Sequence, residues 1–304
     1  MTKNERGVVM NNYVIATCST ADVSAEHLAS RNIEYIKYVF LTDGKENFDD
    51  LGASISYDDF YQMMRDGVDT RTSQPNVSDF INFFDPILAG GNDLIFLNLS
   101  SGLSGAMTSA RLAENEMKDK YPQRKLYVID SLGASSGMGL LVDKMADLRD
   151  EGMSIDNLAK WTEENKKTVH HWFFSTDLTF YVKGGRVSKV SGWFGTVLKI
   201  CPLLNVDANG KLIPRKKVRG KASVIKEIVS RMEENAFDGT NYNGKCYISH
   251  ADCYEDAKAV ADLIKEKFPC LNGEPLINSI GTTIGSHTGP GTVALFFFGS
   301  ERID

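Results

Sequence analysis

Three short segments carry side chains and backbone suited to an anion: Thr72-Ser73-Gln74-Pro75-Asn76, Ser100-Ser101-Gly102-Leu103-Ser104-Gly105 and His287-Thr288-Gly289-Pro290-Gly291. Each offers hydroxyl, imidazole or backbone N–H donors in a stretch shaped by Gly or Pro, and none contains Asp or Glu. Neutral donors without a fixed acid suit an oxyanion such as a carboxylate or phosphate. Each segment also has a plainer reading. Ser104 opens a helical pattern, where an N-cap hydroxyl is worth about 1 kcal/mol with no ligand present. Thr72 and Ser73 flank a turn that Pro75 fixes, which needs no more than the following helix to explain it. His287 can donate to an anion or exchange a proton near neutral pH, or it can be incidental to a surface loop. Cations come from Gly184-Gly185-Arg186 and from Arg215-Lys216-Lys217-Val218-Arg219-Gly220. An Arg is a natural bidentate partner for carboxylate or phosphate, whereas Lys216 and Lys217 read as a solvated edge.

The elements around these segments alternate in period. Tyr13–Thr17, Tyr35–Leu41, Asp93–Leu99 and Lys125–Asp130 are β-branched or apolar runs. Between and after them, 57–66, 77–88, 105–120 and 137–151 carry helical patterns, and Asn76 with Asp79 forms a capping-box pattern. Strands alternating with helices predict βαβ units and a parallel sheet. Such folds bind ligands beyond the carboxyl ends of their strands, where Ser100–Gly105 lies. Residues 70–75 and 285–291 read as loops. A helix over 155–168 and extended structure over 170–180 follow. After Val182 the texture shifts to Gly, basic residues and short strands such as Leu198–Leu203 and Lys211–Ile213. Two domains are expected, 1–168 and 169–304.

Composition narrows the class. The chain has 304 residues and a net charge of −6, which argues against nucleic acid or an anionic membrane as partner. The five cysteines lack C-x-x-C or zinc spacing and read as reduced thiols of a cytoplasmic protein. The N-terminus is polar, without a signal-peptide core, and no apolar run approaches the roughly 20 residues that span a bilayer. No G-x-S-x-G, Walker, H-E-x-x-H or dinucleotide motif appears, so no cofactor or metal is implied. Ser104 and His287 could pair as in a hydrolase of acyl esters, but no third, orienting acid is apparent.

Six motifs, in order, carry a resemblance: TSQPN at 72–76, SSGLSGAMTSA at 100–110, VIDS at 128–131, YVKGGRVSK at 181–189, VRGKA at 218–222 and HTGPGTVAL at 287–295. The chain resembles the DegV family of bacterial fatty-acid-binding proteins, which includes the acyl-carrying subunits of fatty acid kinase. The resemblance implies two α/β domains with a ligand slot between them, the first a largely parallel sheet flanked by helices. It implies a non-catalytic carrier for a long-chain fatty acid, with a kinase catalytic subunit as partner. Thr72 and Ser104 match the residues that hold the fatty-acid carboxylate, with Ser73, Gly105 and His287 in the head-group vicinity. Arg219 matches an arginine implicated with the acyl phosphate, Arg215 being the alternative, and Arg186 matches a structural or interfacial position. A lipid-sensing or transport protein without a kinase remains the other reading. The chain departs from the family at Cys18-Ser19-Thr20, where D-S-T is usual, and at Asn76, where serine is usual. A polar extension of about a dozen residues precedes the matching region and is expected to be loosely ordered.

Overall fold

The computed structural model describes residues 13–176, 178–187 and 200–303. The first part of the chain runs through β1 (Tyr13–Cys18), α1 (Ala25–Ser30), β2 (Ile33–Ile36), β3 (Tyr38–Thr42), β4 (Lys45–Asp49), α2 (Tyr57–Arg65), β5 (Thr70–Ser73), α3 (Val77–Ala89), β6 (Asp93–Asn98), α4 (Ala106–Lys120), β7 (Leu126–Asp130), α5 (Ser135–Asp150) and α6 (Ile155–Asn165). The second part runs through β8 (Val169–Phe174), α7 (Thr179–Lys183), β9 (Ile200–Val206), β10 (Leu212–Arg219), α8 (Lys221–Asn235), β11 (Tyr247–His250), α9 (Tyr254–Lys267), β12 (Leu276–Ser279), α10 (Thr282–Thr288) and β13 (Val293–Phe298).

The expected α/β architecture is present. Strands β2-β1-β6-β7 form a parallel sheet. Its central strands are apolar and buried almost throughout, as a sheet covered on both faces requires. The later strands form a mixed sheet in the order β10-β9-β8-β13-β11-β12. Helix α5 lies between the two sheets, touching β1 on one side and β8, β11 and β13 on the other. One apolar core therefore runs from β1 and β6 through α5 to Phe173, Ala294 and Phe296.

Local chemistry explains most element ends. Ser24, Ser56 and Ser154 accept the N–H of the third helical residue of α1, α2 and α6. Asn76 and Asp79 form the expected capping box on α3, so asparagine in place of the family's serine retains the cap. Other expectations are corrected. The strand expected over 35–41 breaks at Lys37 into β2 and β3, which enter different sheets. Asp43 and Gly44, both at positive φ, then turn the chain into the unforeseen β4. The loop expected over 70–75 is in part strand β5, because its two threonines pair with β3. The loop expected over 285–291 begins inside α10, and Gly289 and Gly291 form the turn after it. The extended run expected over 170–180 ends at Phe174 and gives way to α7. The first dozen residues, the beginning of the strand expected at Leu198 and the end of the YVKGGRVSK motif lie outside the described residues.

Candidate functional site

Thr72 stands on β5 opposite Phe40 of β3. Its Oγ1 lies 2.8 Å from Nε2 of His287, in the last turn of α10. Two of the three anion-suited segments, 215 residues apart, thus meet directly. The His287 ring is largely but not fully enclosed, and its buried Nδ1 has no hydrogen-bond partner among the described residues. A Cβ at position 184 would sit 2.4 Å from that nitrogen, so the first glycine of Gly184-Gly185-Arg186 is needed for the ring to fit. Burial, aided by the Arg186 charge, pulls the His287 pKa down to about 4. The ring is therefore neutral at pH 7. Arg186 disfavours a proton on Nδ1, which also lacks an acceptor, so we assign the proton to Nε2. Nε2–H then donates to Thr72 Oγ1, which leaves the threonine proton free to point elsewhere.

Ser104 supplies the third segment. Its Oγ accepts the Ala106 N–H at 3.2 Å, while its O–H donates to Gln74 Oε1 at 3.1 Å. The Ser104 hydroxyl thus both supports the start of α4 and faces the cavity. Gly105 packs on the same Gln74 amide, where a Cβ would approach Oε1 to 3.0 Å.

Thr72, Ser73, Gln74, Ser104 and His287 line a cavity of about 330 Å³ between the two large sheets and α10. That is within the roughly 300–1,000 Å³ typical of small-ligand sites. Much of the remaining wall is apolar, including Leu103, Phe173, Val206, Ile284, Ala294 and Phe296. Among the described residues that line it there is no Asp or Glu, and Arg186 is the permanent cation. Arg186 also donates from Nε to the Leu103 carbonyl at 3.2 Å, bridging the second part of the chain to the first.

Arg219 is not brought to this cavity. It ends β10, exposed, seven residues beyond the cavity residue Leu212, which is roughly 23 Å along an extended strand. Arg215 is bonded to Asn205 Oδ1 at 2.7 Å and does not line the cavity either. Ser104 and His287 are not paired with each other, and among the described residues no acid orients the His287 ring.

Sequence reasoning passed over two features. His171 lines the cavity from β8, a neutral ring whose pKa burial holds well below the usual range. Its signal, a histidine in an apolar strand, is weak. The second feature is an acid pair behind the cavity wall at the start of α10. Asp22 Oδ1 accepts the Gly281 N–H at 3.0 Å and Oδ2 accepts the Ser135 O–H at 2.5 Å. Asp49 Oδ2 accepts the Thr283 N–H at 3.1 Å. A Cβ on Gly281 would lie 2.7 Å from Asp22 Oδ1 and 3.6 Å from both Asp49 oxygens, so the two carboxyls are close neighbours. Among the described residues neither forms an ion pair. Burial pushes both pKa values up, that of Asp22 well above the usual range, and the Asp49 charge adds to the rise at Asp22.

Comparison with known proteins then decides the family. A family model described as "Uncharacterised protein, DegV family" matches residues 12–300. The chain belongs to the DegV family. A DegV domain-containing protein of Clostridium perfringens is 34% identical over 96% of this chain and 99% of its own length. A solved Thermotoga maritima protein, described as revealing a fatty acid binding function, is 27% identical with a TM-score of 0.81, over 95% of this chain and 99% of that one. The Streptococcus pneumoniae fatty acid kinase B3 protein, solved with linoleic acid, shares the fold at 21% identity and a TM-score of 0.80, over 96% of this chain and 100% of its own. The two-domain α/β architecture is thus a DegV fold. Among the described residues no helix is long and apolar enough to cross a membrane, and no cluster of His, Cys, Asp or Glu could hold a metal ion.

Proposed function

We propose that this DegV protein binds a long-chain fatty acid in the cavity between its domains. The observation that carries the reading is the polar end of that cavity. There a threonine hydroxyl freed by a neutral histidine, and a serine hydroxyl at a helix start, face an otherwise largely apolar slot free of acids. Thr72 donates to the carboxylate, and Ser104 does so by turning its proton from Gln74 Oε1 to the ligand. Ser73, His287 and Gly105 shape its surroundings, Gly105 through Gln74. Each buried CH₂ contributes about 0.8 kcal/mol, so a long chain supplies roughly 10 kcal/mol gross and the head group mainly orients it.

Donors of this kind hold a carboxylate without a fixed counter-charge and tolerate its conversion to an acyl phosphate. That tolerance suits a non-catalytic carrier that presents its ligand to a fatty acid kinase in the cytoplasm, the activity implied by the motif resemblance. Arg219, exposed on an edge strand, is then placed for the partner rather than for the head group. The domain division we adopt is 1–168 and 169–304. The experiment is mass spectrometry of a denatured extract of the purified protein. A co-purified fatty acid is expected, and its absence, together with no uptake of added fatty acid, would refute the reading.

A further inference from the structure

The strand register fixes where the slot ends. Thr292 marks the head-group end, since its Oγ1 is 2.9 Å from the Tyr181 hydroxyl and donates to the Thr288 carbonyl, next to His287. Along β13 the cavity residues Thr292, Ala294 and Phe296 alternate on one face, placing Phe296 roughly 13 Å from Thr292. Phe296 pairs with His171 of β8, and Ala294 with Phe173. The β8–β9 register brings Val206 level with His171, and Leu212 of β10 pairs with Val206. Leu212, Val206, His171 and Phe296 therefore form one row across the sheet, at the end away from Thr292. A second path reaches the same pair. From His287, α10 runs back one turn, about 6 Å, to Thr283. Beside its start stands Ser135, whose neighbour Ala134 donates its N–H to His171 Nε2 at 3.3 Å.

The far pair is held rigidly. His171 Nδ1–H donates to the Val169 carbonyl at 3.0 Å, so both ring nitrogens are satisfied. The ring meets Phe296 edge to face, with centroids 5.3 Å apart. The start of α5 clamps both rings: a Cβ at Gly137 would lie 2.3 Å from His171 Nε2 and 2.6 Å from Phe296 Cδ1. Neither ring can retreat from the cavity toward Gly137 without moving α5.

We infer that Phe296 and His171 are the stop of the slot, which sets the longest unbranched acyl chain the protein takes. The inference rests on the fatty-acid reading and specifies its substrate class as chains that end at this pair. It is tested by calorimetry on delipidated full-length protein with saturated fatty acids from hexanoic to eicosanoic acid. In the wild type, affinity climbs about fourfold per added methylene and then turns over once the tail meets the stop. Phe296→Ala moves that turnover to longer chains. Phe296→Leu moves it in the same direction by less, and is the variant to read if the alanine form does not fold. Ala294→Leu, one step nearer the head group, moves it to shorter chains. Variants that bind with the turnover of the wild type overturn the stop. A wild type that binds no fatty acid of any length overturns the ligand reading itself.

Discussion

The acid pair at the start of α10 gives a prediction whose sign can be worked out. Asp22 and Asp49 share a buried site without a cation, and their raised pKa values mean that the folded protein retains protons an unfolded chain has released. An unfolded Asp titrates near 3.9. Between that value and the raised folded pKa, the native state binds more protons than the unfolded state, so stability falls as pH rises. The slope reaches about 1.4 kcal/mol per pH unit for each proton retained. Below the unfolded pKa this loss is absent, and above the folded pKa it is complete.

Asp22→Asn removes one titrating group while keeping the hydrogen bonds available. The amide oxygen can still accept the Gly281 N–H, and the amide nitrogen can donate to Ser135 Oγ, which has Ser249 Oγ 3.0 Å away as its own acceptor. Urea unfolding of the lipid-free protein should show the variant gaining on the wild type as pH rises from 5 to 8. The comparison isolates this site. His171 and His287, whose pKa values are depressed, change stability in the opposite sense, losing it as pH falls, but they do so in both proteins. A stability deficit in Asp22→Asn that is equal at pH 5 and pH 8 would show that the Asp22 carboxyl is ionised in the folded state, and the reasoning would fail.

Two further outcomes concern the head group. Ser104→Ala should weaken fatty-acid binding by about 1.5–3 kcal/mol, the worth of a hydrogen bond to a charged group, and lower lipid-free stability by about 1 kcal/mol or less, as read by calorimetry beside urea unfolding. Equal losses in both would reduce Ser104 to a cap. His287→Phe should cost roughly tenfold in affinity, because Thr72 Oγ1 loses the donor that frees its own proton. In the wild type, affinity for an alkyl sulfonate, which stays anionic, should be flat between pH 6 and 8, since His287 titrates only near pH 4. A step near pH 6.5 that vanishes in the variant would contradict a neutral ring.

The sequence made legible whatever depends on neighbours in the chain. The parallel strands announce themselves as continuous apolar runs because both their faces are covered, and the α3 cap is visible because Asn76 and Asp79 are three residues apart. Thr72, Ser104 and His287 stood out for a similar reason, as donors in short stretches shaped by Gly and Pro. Helix α10 did not, because its N-terminus is held by Asp22 and Asp49, 259 and 234 residues away from the N–H groups they accept. The window over 282–288 follows a glycine at the cap position and contains three threonines, a serine and a glycine, which is the composition of a loop. Strand β5 was hidden in the same way, since four residues ending before Pro75 become a strand only by pairing with β3. The placement of Arg186 at the cavity, rather than Arg219, also follows from tertiary register.

The same long-range dependence links the Thr72–His287 pair to the buried acids. His287 can act on Thr72 only while α10 stays docked, and the N–H groups at the start of α10 are held by two carboxyls that repel each other once both are charged. Cys18 fits this arrangement. Burial pushes its thiol pKa up to about 11, with a small further push from the Asp49 charge, and it lies 3.8 Å from Asn98 Oδ1, which also accepts from the cavity residue Tyr38. An aspartate at this position would add a third carboxyl to the buried group. Cysteine instead leaves a neutral side chain there at pH 7, which keeps the repulsion beneath α10 to a single pair.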